Sequence, residues 1–182
     1  MNDKQMNKNA YTDFYSKITR PFRQRPWAVR ALNAADKILA GGIFLFYPVM
    51  LVTLFRQAVE AGMSIAQAGR AVMPDVLVPG IAFAVLSAVR GRINAKRPYE
   101  EWPIEALIRR DGSGHSMPSR HVFSATVIAM CALRHNLYTG AVLLILAGVI
   151  AAIRVLGGVH YPKDVAAGYL TGVAAGLVLW LL

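Results

Sequence analysis

The chain has few of the residues that stabilise secreted or metal-binding domains. It has one cysteine among 182 residues, Cys131, which lies inside an apolar stretch. A single thiol excludes a disulfide framework and a cysteine-ligated metal site. Acidic residues are also scarce, with ten Asp and Glu against twenty Lys and Arg. The formal net charge of +10 predicts an anionic partner. This partner could be nucleic acid, anionic lipid or an anionic substrate.

Long polar stretches are rare as well. Hydrophobic residues make up 55% of the chain, which is too apolar for an ordinary soluble domain. This composition favours a multi-pass protein of the cell membrane over a protein that binds nucleic acid. The first thirty residues lack the compact apolar core of a cleavable signal peptide. We therefore expect membrane insertion to use a transmembrane helix of the mature protein.

Five apolar runs approach the roughly twenty residues that a helix needs to cross about 30 Å of hydrocarbon. They lie at about 38–56, 72–89, 120–137, 139–157 and 165–182. The predicted fold is all-α, an integral membrane bundle of about five transmembrane helices. In the last run Gly168, Gly172 and Gly176 recur at every fourth position, which predicts close packing against another helix.

The first 35 residues mix basic with aromatic side chains instead of forming an apolar run. Such a mixture beside a membrane span indicates a segment that lies on anionic lipid, and a partly disordered tail is the alternative. Pro21 and Pro26 interrupt this segment, and Ala28 to Lys37 are predicted to form a short interfacial helix before the first span. We divide the chain into a basic amphipathic segment, 1–35, and a membrane domain, 36–182.

Three polar patches interrupt the apolar sequence, each at the end of a hydrophobic run. The patches are residues 90–98, 116–121 and 154–164. The side chains that matter for the argument are Arg90, Arg92, Lys96 and Arg97 in the first, Ser119 and His121 in the second, and Arg154, His160 and Asp164 in the third. Taken singly, such residues are ordinary helix anchors or caps. Successive membrane helices run in opposite directions, however. The end of the second run, the start of the third, the end of the fourth and the start of the fifth therefore lie on the same face of the membrane, and so do all three patches.

Together the three patches have the chemistry of a phosphate site. The start of a helix, where Ser119 and His121 lie, favours an anion through its free amides and dipole. A carboxylate near a histidine, as with Asp164 and His160, fixes the imidazole in one tautomer and makes it a better nucleophile or base. Guanidinium groups bind phosphate through paired hydrogen bonds. These residues predict a phosphoryl-transfer site without a metal or other cofactor.

The three patches resemble the motifs of a known family, the type 2 phosphatidic acid phosphatases, also called lipid phosphate phosphatases. This family is related to vanadium haloperoxidases and bacterial acid phosphatases. The family's first motif is Lys, six residues, Arg-Pro, and the chain has Arg90, six residues, Arg97-Pro98. The second is Pro-Ser-Gly-His, matched by Pro118-Ser119-Arg120-His121. The third is Ser-Arg, five residues, His, three residues, Asp, matched by Ile153-Arg154, His160 and Asp164.

Three positions depart from the family pattern. Arg90 replaces lysine, which keeps the charge but turns a point ammonium into a planar fork. Arg120 replaces glycine and adds a cation that either joins the site or faces the head groups. Ile153 replaces serine and removes a hydroxyl beside the site. His115, six residues before His121, lacks the preceding Pro-Ser and is interpreted as a loop residue.

The resemblance implies a role for each matched residue. His160 would attack phosphorus and become a phosphohistidine, while Asp164 holds its other ring nitrogen. His121 would protonate the leaving oxygen and then activate water. Three cations and a hydroxyl of the motifs would bind the phosphate oxygens: Arg90, Arg97, Arg154 and Ser119. Arg120 would be an additional ligand.

The implied function is a metal-independent membrane phosphatase acting on a lipid phosphate, such as a polyprenyl diphosphate of the undecaprenyl type, phosphatidic acid or phosphatidylglycerophosphate. The expected partners are that substrate and membrane lipids, without nucleic acid. A lipid phosphotransferase and a non-catalytic phospholipid-binding or transport protein are the alternatives. The excess of Lys and Arg in the N-terminal segment favours a cytoplasmic site, whereas many bacterial members of the family face outward.

Overall fold

Every regular element of the described chain is helical. The protein is represented by a computed structural model that describes residues 3–108 and 112–182, with side chains from residue 10 onward. The helices are α1 (Asp3–Arg23), α2 (Pro26–Glu60), α3 (Ile65–Ile93), α4 (Pro98–Glu101), α5 (Arg120–His135), α6 (Leu137–Leu156) and α7 (Pro162–Leu177), followed by a 3₁₀ turn, Val178–Trp180. The predicted all-α fold is confirmed.

Helix α5 forms the centre of the bundle. All of its residues from 122 to 132 are buried, and it packs most extensively on α6 and α7. Ala129 of α5 meets Ala147 and Ile150 of α6 in the main apolar core, and all three are fully buried. Because α5 is buried on every side over these residues, it is enclosed by its neighbours. The start of α5 is therefore fixed at one end of the molecule.

Helix α7 approaches α5 through the predicted stripe of glycines. A Cβ atom on Gly168 would lie 2.6 Å from the carbonyl oxygen of Ser119, and one on Gly172 would lie 2.7 Å from Cβ of Thr126. A Cβ on Gly176 would collide with Met130 in the same way. The close packing predicted from the glycine spacing is confirmed.

The exterior of α2 and α3 is apolar. Ile38, Leu45 and Ile81 expose 69%, 69% and 62% of their surfaces, as expected for side chains that face lipid. Within the described residues, three stretches are long and apolar enough to cross a membrane: Pro26–Glu60, Ile65–Glu101 and Leu137–Leu156. Helices α5 and α7, with 16 residues each, are shorter than these stretches. The count of five spans stays a prediction.

The first two membrane helices begin earlier than the hydropathy predicts. The short interfacial helix predicted for Ala28 to Lys37 is wrong, because these residues are the first part of a continuous α2. Pro26 starts that helix, at a position where its missing N–H is not needed. In α3, Ser64 forms a capping box with Gln67, which fixes the start at Ile65. The predicted division at residue 35 falls inside α2 and stays a prediction.

The N-terminal helix α1 is packed against the protein, which excludes the disordered-tail alternative for its described part. Tyr15 is 1% exposed, and its hydroxyl lies 3.3 Å and 3.2 Å from the carbonyl oxygens of Glu105 and Leu156. Arg23 forms an ion pair of 2.6 Å with the Glu105 carboxylate. The helix therefore contacts both the loop before α5 and the end of α6.

A buried carboxylate links α3 to the far end of α5. Asp75 is fully buried, and its Oδ2 lies 3.0 Å from Nε2 of His135 and 3.9 Å from Nη1 of Arg134. The Tyr47 hydroxyl donates to the Asp75 carbonyl oxygen at 2.6 Å. This cluster, which was not predicted from the sequence, joins three helices at the end of the bundle opposite to the start of α5.

Candidate active site

The three polar patches meet at one end of the bundle, as the count of hydrophobic runs predicts. The Arg90 guanidinium, at the end of α3, donates to the Pro118 carbonyl oxygen at 2.6 Å. The Ser119 amide, at the start of α5, donates to the carbonyl oxygen of Asp164 in α7 at 3.0 Å. The Arg97 guanidinium donates to the Val159 carbonyl oxygen, beside His160, at 3.0 Å. Each patch is thus hydrogen-bonded to another.

His160 and Asp164 form the buried centre of this region. They are 1% and 0% exposed, and Nδ1 of His160 lies 3.7 Å from Oδ2 of Asp164. The hydroxyl of Ser116 lies 3.3 Å from the same Nδ1 and 2.5 Å from the same Oδ2. Ser116 was part of the second patch, but sequence analysis gave it no role. Because Nδ1 faces these two partners, Nε2 is the ring nitrogen left for chemistry.

The protonation state of His160 follows from its burial. Burial lowers the pKa of the imidazole from 6.5 to about 4, and this effect exceeds the opposite influence of the Asp164 carboxylate. The positive charge of Arg97 lowers the pKa further. His160 is therefore neutral near pH 7, as a nitrogen nucleophile must be.

The three motif arginines are buried and oriented by partners. Arg90, Arg97 and Arg154 are 5%, 5% and 4% exposed. The Arg97 Nε donates to the Gly114 carbonyl oxygen at 3.1 Å, in addition to its bond with Val159. The Arg154 Nε lies 2.8 Å from Oδ1 of Asp36 in α2, a buried ion pair that sequence analysis missed. Burial of a guanidinium requires such compensation, so the site is built before any ligand arrives.

Ser119 presents an unsatisfied hydroxyl at the start of α5. It is fully buried, and its Oγ has no hydrogen-bond partner among the described residues. Buried hydroxyl groups are nearly always paired, so an unpaired one at a helix N-terminus indicates a place for a ligand atom. The predicted position of Ser119 at the helix start is confirmed, since it is the N-cap residue of α5.

The two residues after Ser119 point to different neighbours. His121 is half-buried in the first turn of α5, and its ring stands edge-on to Phe44 of α2, with centroids 6.3 Å apart. Arg120 is exposed, and its guanidinium lies 6.0 Å from the centre of the Phe83 ring in α3. The structure therefore places both predicted side chains at the same helix start as Ser119.

A polar pocket of about 310 Å³ opens beside the buried centre. Its charged and imidazole side chains are those of Arg90, Arg97, His115 and Arg120. His115 lies in a loop, as predicted, and its participation in this pocket was missed. Its backbone has φ 52°, so the chain turns sharply there. The loop before α5 also contains Arg109, Arg110 and Asp111, which lie outside the described residues.

An apolar groove of about 440 Å³ runs along the bundle from the same end. Pro118 of the second motif lies at one end of it, and Val85 and Val89 of α3 and Phe123 of α5 form its walls. A groove that starts beside a polar site and continues between membrane helices has the shape and polarity to hold a hydrocarbon chain.

No metal site is apparent in the described ranges. Among those residues, no group of three or more His, Cys, Asp or Glu side chains is placed to hold a metal ion. The donors around the site are guanidinium, hydroxyl and amide groups, which suit an anion rather than a cation. Independence from metals stays a prediction.

The fold and the site are those of a helical, multi-pass membrane protein that has a basic polar pocket and a buried histidine at one end. Comparison with known proteins gives that class a family. The model of the PAP2 superfamily matches residues 92–182, half of the chain, and the protein belongs to this superfamily.

The bacitracin transport permease protein BcrC of Bacillus licheniformis is 34% identical over 111 residues. The match covers 58% of this chain and 54% of that relative, so the chain spans about half the length of the curated relative.

Two crystal structures have the same fold. LpxE of Aquifex aeolicus superposes with a TM-score of 0.70 at 22% identity, covering 93% of this chain and 94% of that one. A transmembrane PAP2 type phosphatidylglycerolphosphate phosphatase of Bacillus subtilis superposes with a TM-score of 0.65 at 18% identity, covering 94% and 85%. At these identities the likeness establishes the fold, which is that of membrane proteins crossing the bilayer several times.

Proposed function

We propose that this protein is a membrane phosphatase that hydrolyses a phosphate or diphosphate group from a lipid. The observation that carries the proposal is that hydrogen bonds bring the three motifs together at one end of the bundle. There a neutral, buried His160 lies among three buried arginines and beside a helix start with an unpaired hydroxyl. Membership of the PAP2 superfamily and the phosphatase activity named for the Bacillus subtilis structure support the same reaction class.

The reaction proceeds in two steps. Nε2 of His160 attacks phosphorus, the bond from phosphorus to the lipid oxygen breaks, and the proton on His121 moves to that leaving oxygen. The phosphoryl group is then covalently bound to His160. In the second step His121 takes a proton from water, the resulting oxygen attacks phosphorus, and His160 leaves as a neutral imidazole. The two histidines thus divide nucleophilic and acid–base work.

Charge on the transferred group is stabilised by the surrounding donors. Arg90, Arg97 and Arg154 bring three positive charges to the pocket, and the Ser119 hydroxyl and α5 amides add neutral donors. Because the three guanidinium groups are fixed by their own partners, little reorganisation of these charges accompanies the reaction. Arg120, in the outer polar pocket, binds the part of the head group beyond the transferred phosphate.

The substrate is a lipid because the apolar groove starts at the second motif. The groove along α3 and α7 receives the hydrocarbon chain, while the polar pocket receives the head group. Polyprenyl diphosphates, phosphatidic acid and phosphatidylglycerophosphate all combine these two parts. The arrangement disfavours a short, water-soluble phosphate ester, which would leave the groove empty.

The test is a phosphate-release assay with the purified full-length protein over a panel of these lipids. We expect turnover of at least one lipid, no loss of activity with a chelator, and inhibition by vanadate, which mimics pentacoordinate phosphorus. His160→Ala should abolish turnover, and His121→Ala should lower it by about 100- to 10,000-fold.

His135→Gln is the matched control, since this histidine lies at the other end of α5 and should leave turnover unchanged. Full activity of folded His160→Ala would refute the mechanism. Transfer of phosphate to an added alcohol in preference to water would identify a phosphotransferase instead. Tight lipid binding without turnover would identify a binding or transport protein.

A further inference from the structure

Ser116 lies between the two residues at the centre of the site, although it belongs to none of the three motifs. We propose that Ser116 is a positioning residue that links the Asp164 carboxylate to the His160 imidazole and holds that ring in its nucleophilic tautomer. This inference rests on the proposed function, because it assigns a further residue to the same reaction.

The distances show that the carboxylate reaches the imidazole through the hydroxyl. Nδ1 of His160 and Oδ2 of Asp164 are 3.7 Å apart, beyond the range of about 2.7–3.2 Å for a direct hydrogen bond. The Ser116 Oγ lies 2.5 Å from Oδ2 and 3.3 Å from Nδ1. The first contact is short, and the second is at the outer limit of a hydrogen bond. The connected series is therefore imidazole, hydroxyl, carboxylate.

The number of protons available on Ser116, Asp164 and His160 determines which group donates in each hydrogen bond. A carboxylate only accepts, so the single hydroxyl proton of Ser116 is donated to Asp164. The Ser116 oxygen is then left as an acceptor towards Nδ1, which must carry a proton to use it. With Nδ1 protonated, a neutral His160 has an unprotonated Nε2, which is the atom that attacks phosphorus.

The local structure holds Ser116 in this position. The side chain is fully buried, and the Ser116 backbone N–H donates to the Ala95 carbonyl oxygen at 2.8 Å. On the other side, Oδ2 of Asp164 also accepts from the Tyr161 N–H at 3.0 Å, which fixes the carboxylate at the start of α7. Ser116 is therefore attached to the loop of the first motif while it touches two residues of the third.

The link acts on the chemical step rather than on substrate binding. As the bond between Nε2 and phosphorus forms, positive charge develops on the imidazole, and the proton on Nδ1 becomes more acidic. The carboxylate stabilises this charge through the hydroxyl. Since Ser116 is enclosed by protein and directed away from Nε2, its removal should change kcat and leave KM nearly constant.

The experiment compares Ser116→Ala with Ser116→Thr in the phosphate-release assay. Ser116→Ala should lower kcat by about 10- to 100-fold, comparable to the loss of a group that orients a metal-ligating histidine. KM should stay within about twofold. Ser116→Thr keeps the hydroxyl and should recover most of the activity. Thr126→Val is the matched control, because it removes a buried hydroxyl that bonds only within its own helix, to the Val122 carbonyl oxygen.

The outcomes separate this inference from the proposed function. Wild-type kcat in Ser116→Ala, equal loss in the Ala and Thr variants, or a change confined to KM would each overturn the role of Ser116 while the phosphatase stands. A second measurement does not require turnover: ¹⁵N NMR of histidine-labelled protein should show His160 protonated at Nδ1 in the wild type and a mixture of tautomers in Ser116→Ala. A wild-type ring protonated at Nε2 would also overturn the inference.

Discussion

Each buried arginine of the site is held by a partner from a distant part of the chain. Arg154 pairs with Asp36, and Arg90 and Arg97 donate to the carbonyl oxygens of Pro118 and Val159. A buried cation left without such a partner would be costly, so these contacts are part of the fold as well as of the site. The three guanidinium groups are consequently held in place at the end of the bundle where the phosphate site is proposed.

The pKa of His160 gives a prediction about stability and pH. Burial lowers this pKa from 6.5 to about 4, so between these values the unfolded chain binds a proton that the folded protein does not. The free energy of unfolding should therefore fall as the pH is lowered from 6.5 towards 4, by about 3 kcal/mol at most. Thermal unfolding of the wild type and of His160→Gln at pH 7 and at pH 4.5 measures this contribution.

The wild type should lose more stability than His160→Gln, because the variant lacks the titrating imidazole. Groups that do not contact His160 affect both proteins alike, so the difference between the two reports on His160 together with the Asp164 carboxylate, whose pKa the imidazole lowers. An equal loss in both proteins would show that the imidazole keeps an ordinary pKa in the fold.

The sequence predicted the motif residues but not the residues that orient them. His160, Asp164 and the arginines stand at recognisable spacings, whereas Ser116 and Asp36 have no local signature. Ser116 is 44 residues from His160 and 48 from Asp164 along the chain. Only the packing of helix ends brings such residues together, so their contacts are properties of the tertiary structure.

Hydropathy correctly located the apolar middle of the membrane helices but not the residues at which they begin. The first two runs are extended in the structure because helix caps, and not the loss of hydrophobicity, decide where α2 and α3 begin. Pro26 and the Ser64 capping box were the available signals. Helix α3 then ends at Ile93 and is capped by Asn94, in the left-handed region with φ 42°, four residues after Arg90.

The glycine stripe of α7 gives a prediction about packing. Gly172→Leu forces a side chain into Thr126 and the backbone of α5, where a Cβ atom alone would be 2.7 Å from Thr126. Overpacking of this kind costs about 1–3 kcal/mol or more. Thermal unfolding in detergent should show a clearly lowered midpoint, with loss of activity because α5 and α7 carry Ser119 and Asp164.

Gly148→Leu is the control on the exposed side of α6, where an added Cβ meets no described atom within 4 Å beyond its chain neighbours and the adjacent backbone of its own helix. This side faces lipid, and an apolar side chain there should leave the midpoint nearly unchanged. Equal midpoints for the two variants would mean that α7 does not pack on α5 through its glycines.

For the whole molecule, class and location were predicted from composition and are confirmed, while the predicted position of the N-terminal segment on lipid stays a prediction. Its basic and aromatic residues indicated a lipid-facing segment, but Tyr15 and Arg23 attach it to the protein. These contacts depend on the end of α6 and on Glu105, which the sequence could not place. They show that α1 lies at the same end of the bundle as the site.

Because α1 and the site lie at the same end of the bundle, the charge of the N-terminal segment predicts which side of the membrane the site faces. The N-terminal segment through Lys37 contains eight Lys and Arg residues, whereas the opposite end has Arg56, Arg70 and Arg134. Arg134 is in addition near the Asp75 carboxylate, which reduces its effective charge. Because positive residues near membrane spans are retained in the cytoplasm, the site should face the cytoplasm.

Cysteine labelling of intact cells with a membrane-impermeant reagent tests this orientation. Glu105→Cys marks the end that carries the site, since its side chain is 88% exposed, and Met63→Cys, 44% exposed, marks the other end. The native Cys131 is fully buried and contributes no background. The cysteine at 63 should react in intact cells, and the one at 105 only after permeabilisation. The reverse pattern would place the pocket outside the cell, where its substrate would have to be a lipid of the outer leaflet.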